Sequence, residues 1–560
     1  MRRVVSGLSA LAAVVALGAC SSTTAQRPHD RVAEQSGTPS AQQAKSPGAG
    51  KGEYLVFYAP GKRDEAEAAV ERAGGTRLSA DTRLGYLMAR AGGDDFPVDA
   101  GADPSVVGVS PDRRIGVAAG RPAGNAAFPD EGSFIERRGE PLAGRQWDMR
   151  MIGAERANAK VPGTKKVLVG VIDTGVDGKH PDIAPNFNRE LSRNFVTDRP
   201  KDDKGETLDG PCEVSGCKDP VDADDDGHGT HVASTIASPI NGIGIAGVAP
   251  GVQLVNIRAG QDSGFFFLKP SLDALAYAAD IGVDVVNMSY FVDPWLFNCT
   301  DNSADTRKQQ LEQRAIITGI QRAVDYARAR GVTIVSALGN GSTDLGRPTV
   351  DRQSPGYPKG SEKTRRVDNS CLSVPAESRG VISVSSVGPS GRKAIYSDYG
   401  VEQTDVAAPG GDVLDGQGGA KVDRGILAAA PERVLRKAGR IDADGEPKGP
   451  DVVKSCKGGT CAYYQYLEGT SMAAPHATGV AAILISRFGK PGRGGVELAP
   501  ATVEELLYRT ATRKSCPSPR EYVYKAYGQS VTHACEGDTA DNGFYGHGIV
   551  NAWKAATVEP

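Results

Sequence analysis

The sequence predicts an α/β protein: a mostly parallel sheet flanked by helices. Three observations carry this prediction. Val167 to Ile172 is a continuous apolar run, the pattern of a strand buried on both faces, and Val332 to Ala337 reads as another buried strand. Helix-like stretches such as Leu311 to Arg330 alternate with them. Polar residues suited to chemistry, Asp173 and Asn340, follow closely on those runs. That is where open α/β sheets place their sites.

At 560 residues the chain exceeds one ordinary domain and can bury a large core. A formal charge of -3 and a pI near 6.2 argue against a nucleic-acid partner. Seventy glycines and 35 prolines imply many loops.

The elements follow in order. Residues 1–19 read as a targeting segment: Arg2-Arg3 is basic, and Val4 to Ala16 is apolar but short for a bilayer. Leu17-Gly18-Ala19-Cys20 resembles the bacterial lipoprotein box, which implies lipidation of Cys20 and a membrane anchor on the precursor. No later apolar run is long enough for a transmembrane helix. Residues 20–50 are rich in Ser, Thr, Gln, Ala and Pro and read as a disordered tether. Residues 51–118 form a small α+β domain. Glu53 to Tyr58 is strand-like and Asp64 to Ala73 helical, with a stop at Gly74-Gly75; Leu84 to Arg90 and Val106 to Val109 are strand-like again. Residues 119–144 are a loop-like linker, and 145–560 form the main domain. That domain carries insertions at about 201–226, 263–270 and 431–463.

Nine cysteines leave eight once Cys20 is set aside, and an exported chain with an even remainder predicts disulfides. Cys212 with Cys217 and Cys456 with Cys461 are close in sequence. Cys516 with Cys535 is a natural third pair, which leaves Cys299 for Cys371. No histidine cluster accompanies them, so zinc is not expected.

The chemistry centres on Gly469-Thr470-Ser471-Met472-Ala473-Ala474-Pro475-His476, which sets a serine at the start of an apolar helix. A serine hydroxyl needs a base and a stabilised oxyanion to act as a nucleophile. His228, among glycines at a helix start, is the candidate base, and Asp173 the acid that orients it. Asn340, in Gly339-Asn340-Gly341, is the candidate oxyanion donor. The order Asp, His, Ser is that of subtilisin, not of chymotrypsin or the α/β-hydrolases.

These segments resemble the signatures of the subtilase family of serine proteases. They are Val171-Ile172-Asp173-Thr174-Gly175, His228-Gly229-Thr230-His231-Val232-Ala233 and Gly469 to His476. Val381 to Val387, Tyr396 to Gly400, Asp405 to Gly410 and Tyr545 to Ala552 follow the family's later strands and turns, so the resemblance covers roughly residues 145 to 556. It implies a serine endopeptidase acting on protein or peptide substrates, with no cofactor needed for the chemistry. It also implies that residues 51–118 are a propeptide acting as intramolecular inhibitor, and that 119–144 is the processing region. Asn287-Met288-Ser289 is similar to the family's strand that binds substrate backbone. Tyr290-Phe291 then replaces a small, glycine-rich stretch, which narrows or shifts the wall of the pocket for the residue before the cut. Phe265-Phe266-Phe267 either packs beneath its insertion or forms an apolar subsite. Asp182 matches a family calcium position and Asn241 lies in a loop expected to add ligands, so a structural calcium is expected there. Asp222, Asp224, Asp225 and Asp226 add an acidic loop before His228. Rival readings are a narrow-specificity processing protease, a binding protein on the same scaffold, and an ester hydrolase.

Overall fold

Side-chain alternation explains the buried apolar runs. In the strand Leu168–Ile172, Val169 and Val171 face one core while Leu168 and Ile172 face another. The computed structural model describes residues 52–112, 121–122, 140–202, 205–526 and 529–559. The targeting segment, Cys20, the tether and most of the linker 119–144 lie outside the described residues.

Seven strands form the main sheet, every neighbouring pair parallel. Their order is Val406–Pro409, Ile382–Val387, Thr333–Ala337, Val285–Met288, Leu168–Ile172, Gln253–Arg258 and Arg193–Asn194. The helices His228–Ala237 and Thr470–Phe488 cover one face, packing Val232, Ile236, Met472 and Val480 on Val169, Val285 and Val335. Leu268–Ile281 and Arg307–Arg328 cover the other, with Leu272, Leu275, Ile316 and Ile320 on Val286, Met288 and Ile334. Each fully buried aliphatic side chain of this kind contributes roughly 1.5–3 kcal/mol.

Beyond this sheet, Ile426–Ala429, Thr460–Glu468 and Val452–Lys457 form an antiparallel layer. It includes the last part of the 431–463 insertion, and its long strand runs straight into the helix that starts at Thr470. That insertion, polar in sequence, buries Tyr463 against Leu435, Ile441 and Val452. Four disulfides are present: Cys212–Cys217, Cys299–Cys371, Cys456–Cys461 and Cys516–Cys535.

The N-terminal part is a four-stranded antiparallel sheet, ordered Thr76–Asp81, Tyr86–Ala91, Gly52–Tyr58, Val106–Pro111. One face carries the helices Arg63–Arg72 and Phe96–Ala100, over Tyr54, Val56 and Leu87. The other turns Leu55, Phe57 and Met88 into the core shared with helix Arg307–Arg328. Gly108 permits the approach: a Cβ there would lie 2.4 Å from the Ala315 nitrogen. The Arg322 guanidinium donates to the carbonyls of Tyr58 (2.8 Å), Leu84 (3.2 Å) and Gly85 (2.8 Å). Further on, Arg121–Pro122 pairs antiparallel with Leu467 and Glu468, just before Gly469.

Candidate active site

Asp173 stands where the strand Leu168–Ile172 ends, at the carboxyl edge of the sheet. Its carbonyl is fixed by the N–H groups of Ala259 and Gly260, both 3.0 Å. Its Oδ1 accepts the Thr174 N–H at 2.8 Å and faces His228 Nδ1 at 2.7 Å. The approach depends on Gly229. A Cβ there would meet the Gly175 carbonyl at 2.0 Å, so only glycine lets the helix start press against the strand end. Asp224 secures the same junction: it takes the Thr174 hydroxyl (3.1 Å), the Gly227 N–H (2.9 Å) and both donors of Thr230 (2.9 and 2.6 Å).

Electrostatics favour the charged imidazole. Burial alone lowers the pKa of His228. The Asp173 carboxylate, by charge and hydrogen bond, outweighs this with help from Asp226 and Asp224, and the value rises to about 9. Burial raises Asp226 to about 6, so it is ionised and reinforces His228 in alkaline solution. Among the described residues, His228 Nε2 is buried and has no hydrogen-bond partner.

Ser471 is the second residue of the helix Thr470–Phe488 and is 3% exposed. Its hydroxyl donates to the Ser289 carbonyl at 3.1 Å, and the Ser289 hydroxyl donates back to the Ser471 carbonyl at 3.0 Å. The reciprocal bond has a cause in the sequence. Pro475, four residues after Ser471, has no N–H to give the Ser471 carbonyl, and Ser289 supplies the missing donor. Asn340 is held by the same helix: the Thr470 N–H and hydroxyl both donate to its Oδ1 at 2.9 Å. The amide orientation is thereby set from the residue beside Ser471.

The other expected residues fall as follows. Tyr290 is buried and stacks on Phe266, with centroids 4.0 Å apart and planes 3° from parallel. Phe267 is buried and packs edge-on to Tyr357. Phe266 and Phe267 therefore pack beneath their insertion, while Phe265 is half-buried, edge-on to Tyr357. Phe291 is half-buried. Asp182 and Asn241 are joined to each other: Asn241 Nδ2 donates to Asp182 Oδ1 at 3.0 Å, while Tyr464 and the Ile245 N–H fill Oδ2. Both carboxylate oxygens thus carry donors, and burial raises Asp182 to about 7.

Among the described residues, two acidic groups bring carboxylate oxygens within 4.8 Å of one another: Asp198, Asp219 and Asp262, and Glu213, Asp225 and Asp262. The first closes on the buried Arg258, at 2.8, 2.6 and 3.0 Å respectively. The second has hard oxygen donors of the kind calcium takes. Its partners Arg433, on Asp225, and Lys437, on Glu213, tie the two insertions together beside His228.

Sequence reading missed a second buried acid–histidine contact. His476 Nε2 lies 3.0 Å from Asp148 Oδ2, and its Nδ1 2.8 Å from the Met472 carbonyl. The partners are 328 residues apart, so no local pattern signals the contact. The Ser289–Ser471 exchange was also missed, although Pro475 marks the carbonyl it leaves unpaired.

Residues 164–548 match the subtilase family model. The thermophilic serine proteinase of Bacillus sp. (strain AK1) is 28% identical over 60% of this chain and 54% of its own length. Fervidolysin of Fervidobacterium pennivorans is 27% identical over 68% of this chain and 42% of its own length. The chain therefore spans about half the length of these two relatives. The structure of the epidermin leader peptide processing serine protease from Staphylococcus aureus superposes with a TM-score of 0.59 at 21% identity. That match covers 91% of this chain and 99% of the other, and shows a shared fold.

Proposed function

The chain belongs to the subtilase family, and from that premise we propose that it is a serine endopeptidase in which Ser471, His228 and Asp173 form the catalytic triad. One observation carries the reading: the 2.7 Å Asp173–His228 contact at the carboxyl edge of a parallel sheet, with His228 Nε2 unpartnered. The roles follow from the geometry. Ser471 Oγ turns from the Ser289 carbonyl toward His228 and attacks the scissile carbonyl carbon. His228 Nε2 takes the serine proton and returns it to the leaving amine. Asp173 holds Nδ1–H and stabilises the imidazolium. The Asn340 amide, with the Ser471 N–H, stabilises the oxyanion. Water then repeats the sequence on the acyl-enzyme.

The proposal extends to the precursor. The sheet of residues 52–111 serves as a propeptide, supported by its packing on helix Arg307–Arg328. A lipid on Cys20 tethers the zymogen, and a cut in 119–144 frees the catalytic part. Among the described residues no helix is long and apolar enough to cross a membrane. A half-buried Phe291 close after Ser289, where the family has a small, glycine-rich stretch, favours a narrow substrate range over a general one, while Tyr290 is turned into the core against Phe266.

The test is covalent labelling with a serine-directed sulfonyl fluoride, read by peptide mapping. Ser471 should be modified in the wild type, and Ser471→Ala should remain unlabelled, full-length and in the membrane fraction. An active, processed wild type with no label on Ser471 would overturn the proposal. Release of ester products without cleavage of a denatured protein would favour the ester-hydrolase reading instead.

A further inference from the structure

We infer that Asp398 is a positioning residue that holds the oxyanion-stabilising turn from behind; the inference rests on the reading of Asn340 given above. Asp398 is 4% exposed and sits outside the triad. It grips the turn on both sides of Asn340. Its N–H donates to the Gly339 carbonyl at 2.9 Å, and its Oδ1 accepts the Thr343 N–H at 2.7 Å. The fit leaves no slack. A Cβ on Gly339, whose φ is +133°, would lie 2.2 Å from Asp398 Oδ2, and one on Gly341 would lie 3.1 Å from Oδ1. Two glycines therefore bracket Asn340 because a carboxylate fills the space behind them.

The front of the turn is held by the nucleophile helix. The Gly339 N–H donates to Thr470 Oγ1 at 3.2 Å, and Thr470 donates twice to Asn340 Oδ1. Asn340 is thus clamped between Asp398 and the residue preceding Ser471. Lys393 is the basic partner of Asp398, and burial pushes both toward their neutral forms, each to about 7. The Lys393 side chain is fully buried, interacts electrostatically with Asp398 and donates to the carbonyls of Ala394 (2.9 Å) and Ser397 (2.6 Å). Asp398 touches no reacting atom. It acts through Asn340.

The experiment is a double-mutant cycle on Asn340→Ala and Asp398→Ala. Each protein is matured in trans by trace wild-type enzyme, so that slow variants are still converted. Kinetics are read on one chromogenic peptide. In the wild-type background, Asp398→Ala should lower kcat about 10- to 100-fold with KM within about twofold, less than the loss of the donor itself. In the Asn340→Ala background the same change should cost less than about threefold, because the group it positions is gone. Asp398→Asn keeps an oxygen for the Thr343 N–H and should recover most of kcat. If the alanine variant does not fold, the cycle is repeated with Asp398→Val, which fills the space and still removes the acceptor for the Thr343 N–H. Losses that multiply in the two backgrounds, or that fall on KM, overturn the inference. Failure to label Ser471 in the wild type would instead sink the underlying reading, so the two failures are distinguishable.

Discussion

Two buried contacts between an aspartate and a histidine flank Ser471, and they differ in what the second ring nitrogen does. In Asp173–His228 the contact is 2.7 Å, and the remaining nitrogen has no hydrogen-bond partner among the described residues. In Asp148–His476 the contact is 3.0 Å, and the remaining nitrogen is spent on the Met472 carbonyl. On the proposed reading, the same pair of side chains is an acid–base device in one place and a clasp in the other. The clasp fastens helix Trp147–Ile152 to the nucleophile helix. What separates the two is one unsatisfied nitrogen, and burial does not: all four side chains are buried.

The comparison breaks most sharply at Asp173. Asp173→Asn should lower kcat by about 10,000-fold, the size of effect seen when the orienting acid of a serine protease becomes an amide. Circular dichroism should stay native. A loss under tenfold would mean that His228 is oriented by something else. Asn340→Ala comes next, with kcat down about 100- to 1,000-fold, the range found for subtilisin's own oxyanion asparagine. KM should hardly move.

On the clasp side, Asp148→Ala leaves His476 buried with one acceptor gone. Unfolding in denaturant should show roughly 1–3 kcal/mol less stability, the cost of leaving a buried hydrogen-bonding group without its partner. The folded fraction should retain kcat within about threefold. If kcat fell as far as in Asp173→Asn, the division between device and clasp would fail.

The smallest effect sharpens the acid–base side. A base with its pKa raised to about 9 must lose its proton to work, so kcat/KM should rise with pH and level off above about pH 9. Asp226→Asn removes a charge that holds the proton on His228. The rising limb should then move to lower pH. A limb that stays in place would show that Asp226 does not reach the ring.

Much of the large sheet was legible because burial on both faces writes itself as an unbroken apolar run. The expected runs Val167 to Ile172 and Val332 to Ala337 are observed as Leu168–Ile172 and Thr333–Ala337. The N-terminal sheet was legible in part. Thr76–Asp81 is an edge strand whose first four residues are exposed, so it carries no apolar alternation and was not expected. The proposed triad was readable because each member sits in a glycine-punctuated segment. Phe265 to Phe267 left two readings open, since sequence does not say that Phe266 has Tyr290 to stack on. Asp182 and Asn241 were placed near each other correctly by loop position, but not that one would donate to the other.

Pro475 has a consequence for how this chain can vary. A proline at the fourth residue past the nucleophile makes the Ser289 hydroxyl the donor to a carbonyl that a helix would otherwise satisfy by itself. Positions 289 and 475, separated by 186 residues, therefore form one unit of inheritance. In a library that varies both, Ser289→Ala should be tolerated far better beside Pro475→Ala than alone, because the restored N–H takes over the carbonyl. Position 289 cannot drift freely while Pro475 stands.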